Sequence, residues 1–127
     1  MEKVYSRPES LDISNNKFCP GCMHSTFIKI CMQVIDELGI GDRAVVIQPI
    51  GCANNSSPCI AIDQGCALHG RAPAYATGLK RCHPESIVFT YQGDGDLSSI
   101  GFAEVMHAAN RGENICVFYI NNCNYGM

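Results

Sequence analysis

Charge is scarce in this sequence. Asp, Glu, Lys and Arg make up 17% of its 127 residues, less than is usual for a soluble domain. The balance is a net charge of −3, which gives no electrostatic reason to expect a nucleic-acid partner. No apolar run approaches the length of a membrane span. No signal-peptide pattern follows Met1-Glu2-Lys3-Val4, so the expected setting is cytoplasmic and free of the membrane. Cysteine, by contrast, is plentiful, at nine residues. Thiols in that number without an export signal argue for a reducing compartment and for metal or redox work, and an odd count fits a closed disulfide framework poorly. A hydrophobic share of 46% supports a globular core. A chain of this size makes one domain and buries roughly two-thirds of its extended surface.

The organising stretch is Tyr91-Gln92-Gly93-Asp94-Gly95-Asp96, answered downstream by Asn121-Asn122. Residues 86–91 are a short β-rich run and are expected as a buried strand. The strand stops at two glycines flanking a carboxylate, and glycine there permits a tight turn and a close approach of backbone to ligand. Residues 98–111 carry Ile100, Ala103, Met106 and Ala109 at helical spacing, and residues 115–120 read as a second buried strand. This strand–helix–strand crossover predicts an α/β fold, an open, mostly parallel sheet with helices on both faces. Ligands of such sheets bind at the C-terminal edge of the strands, where Asp94 and Asn122 would meet. An Asp and an Asn converging there suit Mg²⁺, which takes oxygen ligands and is commonly completed by substrate phosphates. The same residues also suit a tight turn capped by Asp94 with Asn122 ending a strand, and spacing alone leaves both readings open.

Residues 1–17 are polar and irregular and read as an N-terminal arm, either lying on a neighbour or mobile. Residues 18–127 form the domain. Cys19-Pro20-Gly21-Cys22 sets two thiols three positions apart, a bite shared by zinc sites, iron–sulfur clusters and dithiol redox pairs. The next segment is expected to be helical, with Phe27, Ile28, Cys31, Val34, Ile35 and Leu38 as one apolar stripe and Gly39 at its end. Residues 44–50 read as a further strand that ends at Gly51-Cys52, bringing a third cysteine to the sheet edge that carries Asp94. Cys31 on the stripe and Cys116 in a strand core are expected as buried fillers. Cys59, Cys66, Cys82 and Cys123 carry no assignment. Residues 54–58 are a loop by composition. Residues 68–80 run from loop into helix, with Pro73 in the first turn, where a missing N–H does no harm. Arg71 is placed either to pair with phosphate or to make a surface salt bridge. Asp96 is placed either in the outer shell of the magnesium or as the cap of a helix beginning at Ser98-Ser99.

Gly93-Asp94-Gly95 through Asn121-Asn122 covers 30 positions and resembles the thiamine-diphosphate motif that opens with GDG and closes with NN. The wider wording at residues 89–97, His107-Ala108-Ala109-Asn110-Arg111-Gly112-Glu113, and Asn121-Asn122 to Tyr125-Gly126-Met127 is more specific. It resembles the β subunit of 2-oxoacid:ferredoxin oxidoreductases, and most nearly the branched-chain (2-oxoisovalerate) type. The likeness runs from about Phe18 to the last residue. In that family the polypeptide continues well beyond the position of Met127. The resemblance therefore implies a thiamine-diphosphate-binding fold over residues 18–127, incomplete at its C-terminus, as the N-terminal portion of a longer subunit.

The cofactors so implied are thiamine diphosphate, Mg²⁺ and a 4Fe–4S cluster. Asp94, Asn122 and the backbone carbonyl of Asn124 would ligate the Mg²⁺. Ile50, Gly51, Cys52, His69, Gly93, Gly95 and Asp96 would join Asp94 and Asn122 around the thiamine cofactor. Cys19, Cys22 and Cys52 would give the cluster three ligands, the fourth lying further on than this sequence reaches. The family's residue at Asn124 is usually apolar, but a carbonyl donor is indifferent to its side chain. The implied activity is coenzyme A-acylating oxidative decarboxylation of a 2-oxoacid to acyl-CoA and CO₂, with electrons passed to ferredoxin. Branched-chain substrates are favoured over 2-oxoglutarate and pyruvate. The implied partners are ferredoxin and the pyrimidine-binding and CoA/ferredoxin subunits of the complex. One of those subunits brings the glutamate that activates the aminopyrimidine. Glu104 and Glu113 fall in or after the crossover helix, so the chain alone is expected to be inactive. Two rivals stand on the residues. A thiamine-dependent decarboxylase or carboligase would need no CPGC. A metal or dithiol module on Cys19 and Cys22 would leave GDGD and Asn121-Asn122 without a job.

Overall fold

The computed structural model describes residues 4–12, 16–124 and 126–127. The first three residues of the expected arm, its residues 13–15, and Tyr125 of the C-terminal motif lie outside the described residues. Among the described residues, four strands form one sheet: β1 (Ala44–Pro49), β2 (Asp63–Ala67), β3 (Ile87–Gly93) and β4 (Cys116–Ile120). They lie in the order β2-β1-β3-β4, and every pairing is parallel. The helices are α1 (Met23–Leu38), α2 (Ala72–Cys82) and α3 (Phe102–Asn110). A 3₁₀ segment, Cys52–Cys59, follows β1, and a π-helical turn, Gly95–Ile100, leads from β3 towards α3.

The central strands are buried on both faces because both faces are covered, as in parallel sheets generally. Ala44, Val46, Phe89 and Tyr91 pack with Ile28, Met32 and Ile35 of α1 on one side. The alternate residues Ile47 and Val88 pack with Ala72 and Ala76 of α2 on the other, and α3 lies beside α2. The expected open parallel sheet with helices on both faces is the fold observed. Among the described residues no helix is long and apolar enough to cross a membrane.

Several local expectations change. Val34 and Leu38 remain 44% and 63% exposed, so the buried stripe of α1 is narrower than its periodicity predicts. Val34 borders an apolar groove of about 330 Å³ between α1 and β4, and Cys116 lines the same groove. Cys116 is exposed rather than buried, because β4 is an edge strand that nothing among the described residues covers on that side. β2 was not expected. Its sequence Asp63-Gln64-Gly65-Cys66-Ala67 buries only Ala67, and pairing with β1 holds it. Residues 52–59, expected partly as loop, form the 3₁₀ segment. The crossover helix starts as a π turn before Ser98, and its α-helical part begins at Phe102. Part of the N-terminal arm lies on the chain's own body. Leu11 is buried and bridges Ile60, and the Ser10 hydroxyl donates to Asp36 at 2.5 Å.

The strand order has one consequence for function. From β1 the chain turns outward to β2, whereas from β3 it turns the other way, to β4. The connections leaving these neighbouring strands therefore run in opposite directions, and a crevice opens between them at the point where an open α/β sheet binds its ligands.

Candidate functional site

The crevice is lined by Gly51 and Cys52 after β1, by residues 93–96 after β3, and by Asn122 and Asn124 after β4. His24 of α1 and His69 ahead of α2 complete the wall. Gly51 has φ 139°, a conformation that disfavours any side chain, and a Cβ there would stand 3.6 Å from the His69 ring. The open space is about 30 Å³, with Gly126 and Met127 among its walls. That is about one water's share of liquid volume. An ion fits the crevice as it stands.

Asp94 is half-buried, and its side chain makes no capping bond at the turn it begins. The reading of Asp94 as a turn cap therefore fails, and among the described residues the carboxylate has no hydrogen-bond partner. Its backbone carbonyl accepts from the Ser98 hydroxyl at 2.7 Å. Asn122 is half-buried, and its side-chain oxygen accepts from the Asn124 N–H at 3.3 Å. Asp96 is 4% exposed. One of its oxygens accepts from the Gly70 N–H at 2.6 Å and pairs with Nδ1 of His69, and the other accepts from the Gln92 amide. It does not cap the helix after it, because its carboxylate turns towards the loop ahead of α2. Its visible role is to hold His69.

His24 is a site residue that sequence reasoning missed. It is buried, and its Nδ1 meets the Tyr91 hydroxyl. Phe18 stacks on its ring at 5.5 Å between centroids. Burial pushes its pKa below the ordinary histidine value, with the charge of Asp94 opposing. Its nearness to Cys22 was the available signal, but its partner lies 67 positions away.

A second cavity, of about 410 Å³, adjoins the crevice, and Cys19, Cys22 and Cys52 all line it. His24, Asn122 and Asn124 belong to both walls. The three thiols share this cavity without closing on one another. Among the described residues no three His, Cys, Asp or Glu side chains stand close enough to hold a metal ion. Cys31 is half-buried, and burial pushes its thiol up to about 11. Cys59 is buried, and burial raises its pKa as well, aided by the charge of Asp12. Both are poorly suited to serve as thiolates.

The remaining candidates sit elsewhere. Ile50 is 43% exposed and does not line the crevice. Arg71 forms an ion pair with Glu104, which is the surface-pair alternative. Glu113 is held by Arg81 and Arg111. Neither glutamate lines the crevice.

Comparison with known proteins adds to this geometry. Residues 39–127 match the family model described as thiamine pyrophosphate enzyme, C-terminal TPP binding domain. The chain is 43% identical over 136 aligned positions to ketoisovalerate oxidoreductase subunit VorA of Methanothermobacter thermautotrophicus, a match covering 99% of this chain and 28% of that protein. It is 34% identical over 111 positions to 2-oxoglutarate synthase subunit KorB of Methanocaldococcus jannaschii, covering 87% of this chain and 41% of that one. Among solved structures it resembles 2-oxoglutarate:ferredoxin oxidoreductase from Magnetococcus marinus, determined with 2-oxoglutarate, coenzyme A and succinyl-CoA bound. The TM-score is 0.88 at 30% identity, over 97% of this chain and 43% of that one. The chain thus spans less than half the length of these relatives.

Proposed function

Because the chain belongs to the thiamine pyrophosphate enzyme family through its C-terminal TPP binding domain, we propose that it is the thiamine-diphosphate-binding subunit of a 2-oxoacid:ferredoxin oxidoreductase acting on a branched-chain 2-oxoacid. The observation that carries the reading is the crevice between β1 and β3, where Asp94, Asn122 and His69 meet beside Gly51 and Gly93. The donor set fits Mg²⁺ with a diphosphate. Two side chains offer hard oxygens, the carboxylate of Asp94 is not spent on a cap, and Mg²⁺ is commonly completed by phosphate oxygens. Gly51 fits as well, since its φ of 139° keeps the position free of a side chain and open to a ligand.

In this reading Asp94, Asn122 and the carbonyl of Asn124 hold Mg²⁺ and through it the diphosphate. Asp96 orients His69 from behind. Thiamine diphosphate supplies the carbanion chemistry by which a 2-oxoacid loses CO₂. Cys19, Cys22 and Cys52 fit a 4Fe–4S cluster in donor type and in sharing one cavity, and they would be three of its four thiolates. The net reaction turns a 2-oxoacid and coenzyme A into acyl-CoA, CO₂ and a proton, with two electrons passed singly to ferredoxin. The aminopyrimidine-activating glutamate is assigned to another subunit, because Glu104 and Glu113 lie outside the crevice and are engaged by arginines.

The branched-chain assignment leans on the 43% identity to the ketoisovalerate subunit against 34% for the 2-oxoglutarate subunit. A 2-oxoglutarate substrate is the second reading, supported by the solved structure that the chain resembles. Two measurements on the assembled complex test the proposal. Asp94→Ala should abolish Mg²⁺-dependent retention of thiamine diphosphate, and unchanged cofactor content would sink the site. Coenzyme A-dependent ferredoxin reduction should favour 2-oxoisovalerate. A kcat/KM preference of more than about tenfold, or ~1.4 kcal/mol, for 2-oxoglutarate or pyruvate would reject the substrate.

A further inference from the structure

His24 has no part in the assignments above, yet its ring stands between the crevice and the cysteine cavity. The Tyr91 hydroxyl that meets its Nδ1 belongs to a fully buried side chain. That hydroxyl has no other hydrogen-bond partner among the described residues. The direction of the bond follows from counting protons. Were Nδ1 the donor, the phenol O–H would be buried with nothing to receive it, which is the costly arrangement. The phenol therefore donates and Nδ1 accepts. In a neutral imidazole the proton then sits on Nε2.

Nε2 faces the crevice. It would stand 3.8 Å from a Cβ placed on Gly93, the first glycine of the GDG turn. No described residue accepts from it. A histidine that is 1% exposed thus holds an unused N–H donor at the edge of the space beside Asp94. The second crevice histidine differs. His69 offers its Nδ1 to the Asp96 carboxylate, the reverse of the Nδ1 role in His24.

We propose that Tyr91 locks His24 as the Nε2–H tautomer, so that His24 is a fixed hydrogen-bond donor to the anionic ligand of the crevice. The inference rests on the reading of that crevice as a magnesium–diphosphate site, and His24 becomes a binding residue of that site. A neutral donor adds affinity without adding a second cation beside Mg²⁺. A bond from N–H to a charged oxygen in a buried setting is stronger than one between neutral groups.

The test uses the assembled complex stripped of thiamine diphosphate and then titrated with it at saturating Mg²⁺. His24→Phe should weaken binding about tenfold or more. His24→Gln, whose amide can reach the Nε2 position, should recover most of that loss. Tyr91→Phe frees the tautomer and should fall between the wild type and His24→Phe. Nitrogen-15 NMR of ring-labelled histidine should report a protonated Nε2 at His24 in the wild type and a tautomer mixture in Tyr91→Phe. Equal affinity in His24→Phe and wild type, or a protonated Nδ1 at His24, would overturn the proposal while leaving the crevice reading intact. If instead Asp94→Ala binds thiamine diphosphate as well as the wild type, the crevice reading fails and this inference with it.

Discussion

Gly101→Ala tests the backbone crossing on which the site depends. Gly70, just after His69, passes against Gly101 at the end of the π-helical turn. A Cβ on Gly101 would lie 2.6 Å from the Gly70 carbonyl oxygen and 2.9 Å from its Cα. The φ of Gly101 is −96°, which alanine adopts freely, so the effect is one of space alone. Ordinary contact begins at 3.4 Å, and the loop must therefore retreat by roughly 0.8 Å. Overpacking of this kind costs ~1–3 kcal/mol. The retreat also stretches the Gly70 N–H bond to the buried Asp96 carboxylate, a class of bond contributing ~1.5–3 kcal/mol. A destabilisation of about 3 kcal/mol corresponds to a Tm lower by about 10 °C in a domain of this size. Because His69 rides on the same loop, thiamine diphosphate affinity should fall in parallel. Gly78→Ala is the control, since it lies within α2 and a Cβ there meets nothing within 4 Å. It should raise stability by ~1 kcal/mol. Calorimetry and cofactor titration on both variants decide the matter. A Gly101→Ala protein with a Tm within about 2 °C of the wild type and unchanged affinity would refute the argument.

Two further outcomes follow from the charged and sulfur-bearing side chains. Alkylation near pH 8, followed by peptide mass mapping, should label Cys66, Cys82 and Cys116 well before Cys31 and Cys59. The first three are exposed, whereas burial holds the other two as thiols; early labelling of Cys31 would contradict the packing of α1. Glu113 accepts from Arg111 and Arg81, and its pKa lies below its ordinary value of 4.5. That depression stabilises the fold above pH 4.5 and is lost as the pH falls through the lowered value. Arg81→Ala should therefore be less stable than the wild type at pH 7, with the gap closing in acid. A gap that stays constant down to pH 3 would remove Glu113 from the account.

Much of this site was legible because its signals are local. Gly93-Asp94-Gly95 ends a buried strand, and the C-terminal edge of a parallel sheet is where such a turn has a purpose. Gly39, at φ 61°, ends α1 as its sequence foretold. What escaped depends on neighbours distant in sequence. β2 buries a single residue and exists only through pairing with β1, so no periodicity announced it. Cys116 looked like a core residue because Ile115 to Ile120 is apolar, yet an edge strand with one open side buries less than its composition promises. Asp96 resembled a helix cap by position, but its partners, His69 and Gly70, stand 27 and 26 residues away. His24 drew no reading from the sequence, since its partner Tyr91 stands 67 positions away.

The closeness of the two cavities follows from strand order. Gly51 and Cys52 are consecutive at the end of β1, and both line the crevice, with Cys52 also facing the second cavity. The segment after β4 behaves likewise, with Asn122, Asn124 and Gly126 on both walls. A Cβ on Gly126 would come within 3.0 Å of the Cys52 sulfur. Oxygen donors from the turns after β3 and β4 thus meet the Cys52 thiol from the turn after β1 along a wall that the two cavities share. Oxygen donors select a magnesium–phosphate ligand, and thiolates select iron–sulfur or zinc chemistry. If the two ligand types served unrelated purposes, nothing would require their cavities to share a wall. In the proposed reaction, electrons leaving a decarboxylated substrate singly would need a short route from one centre to the other, and the shared wall would provide one.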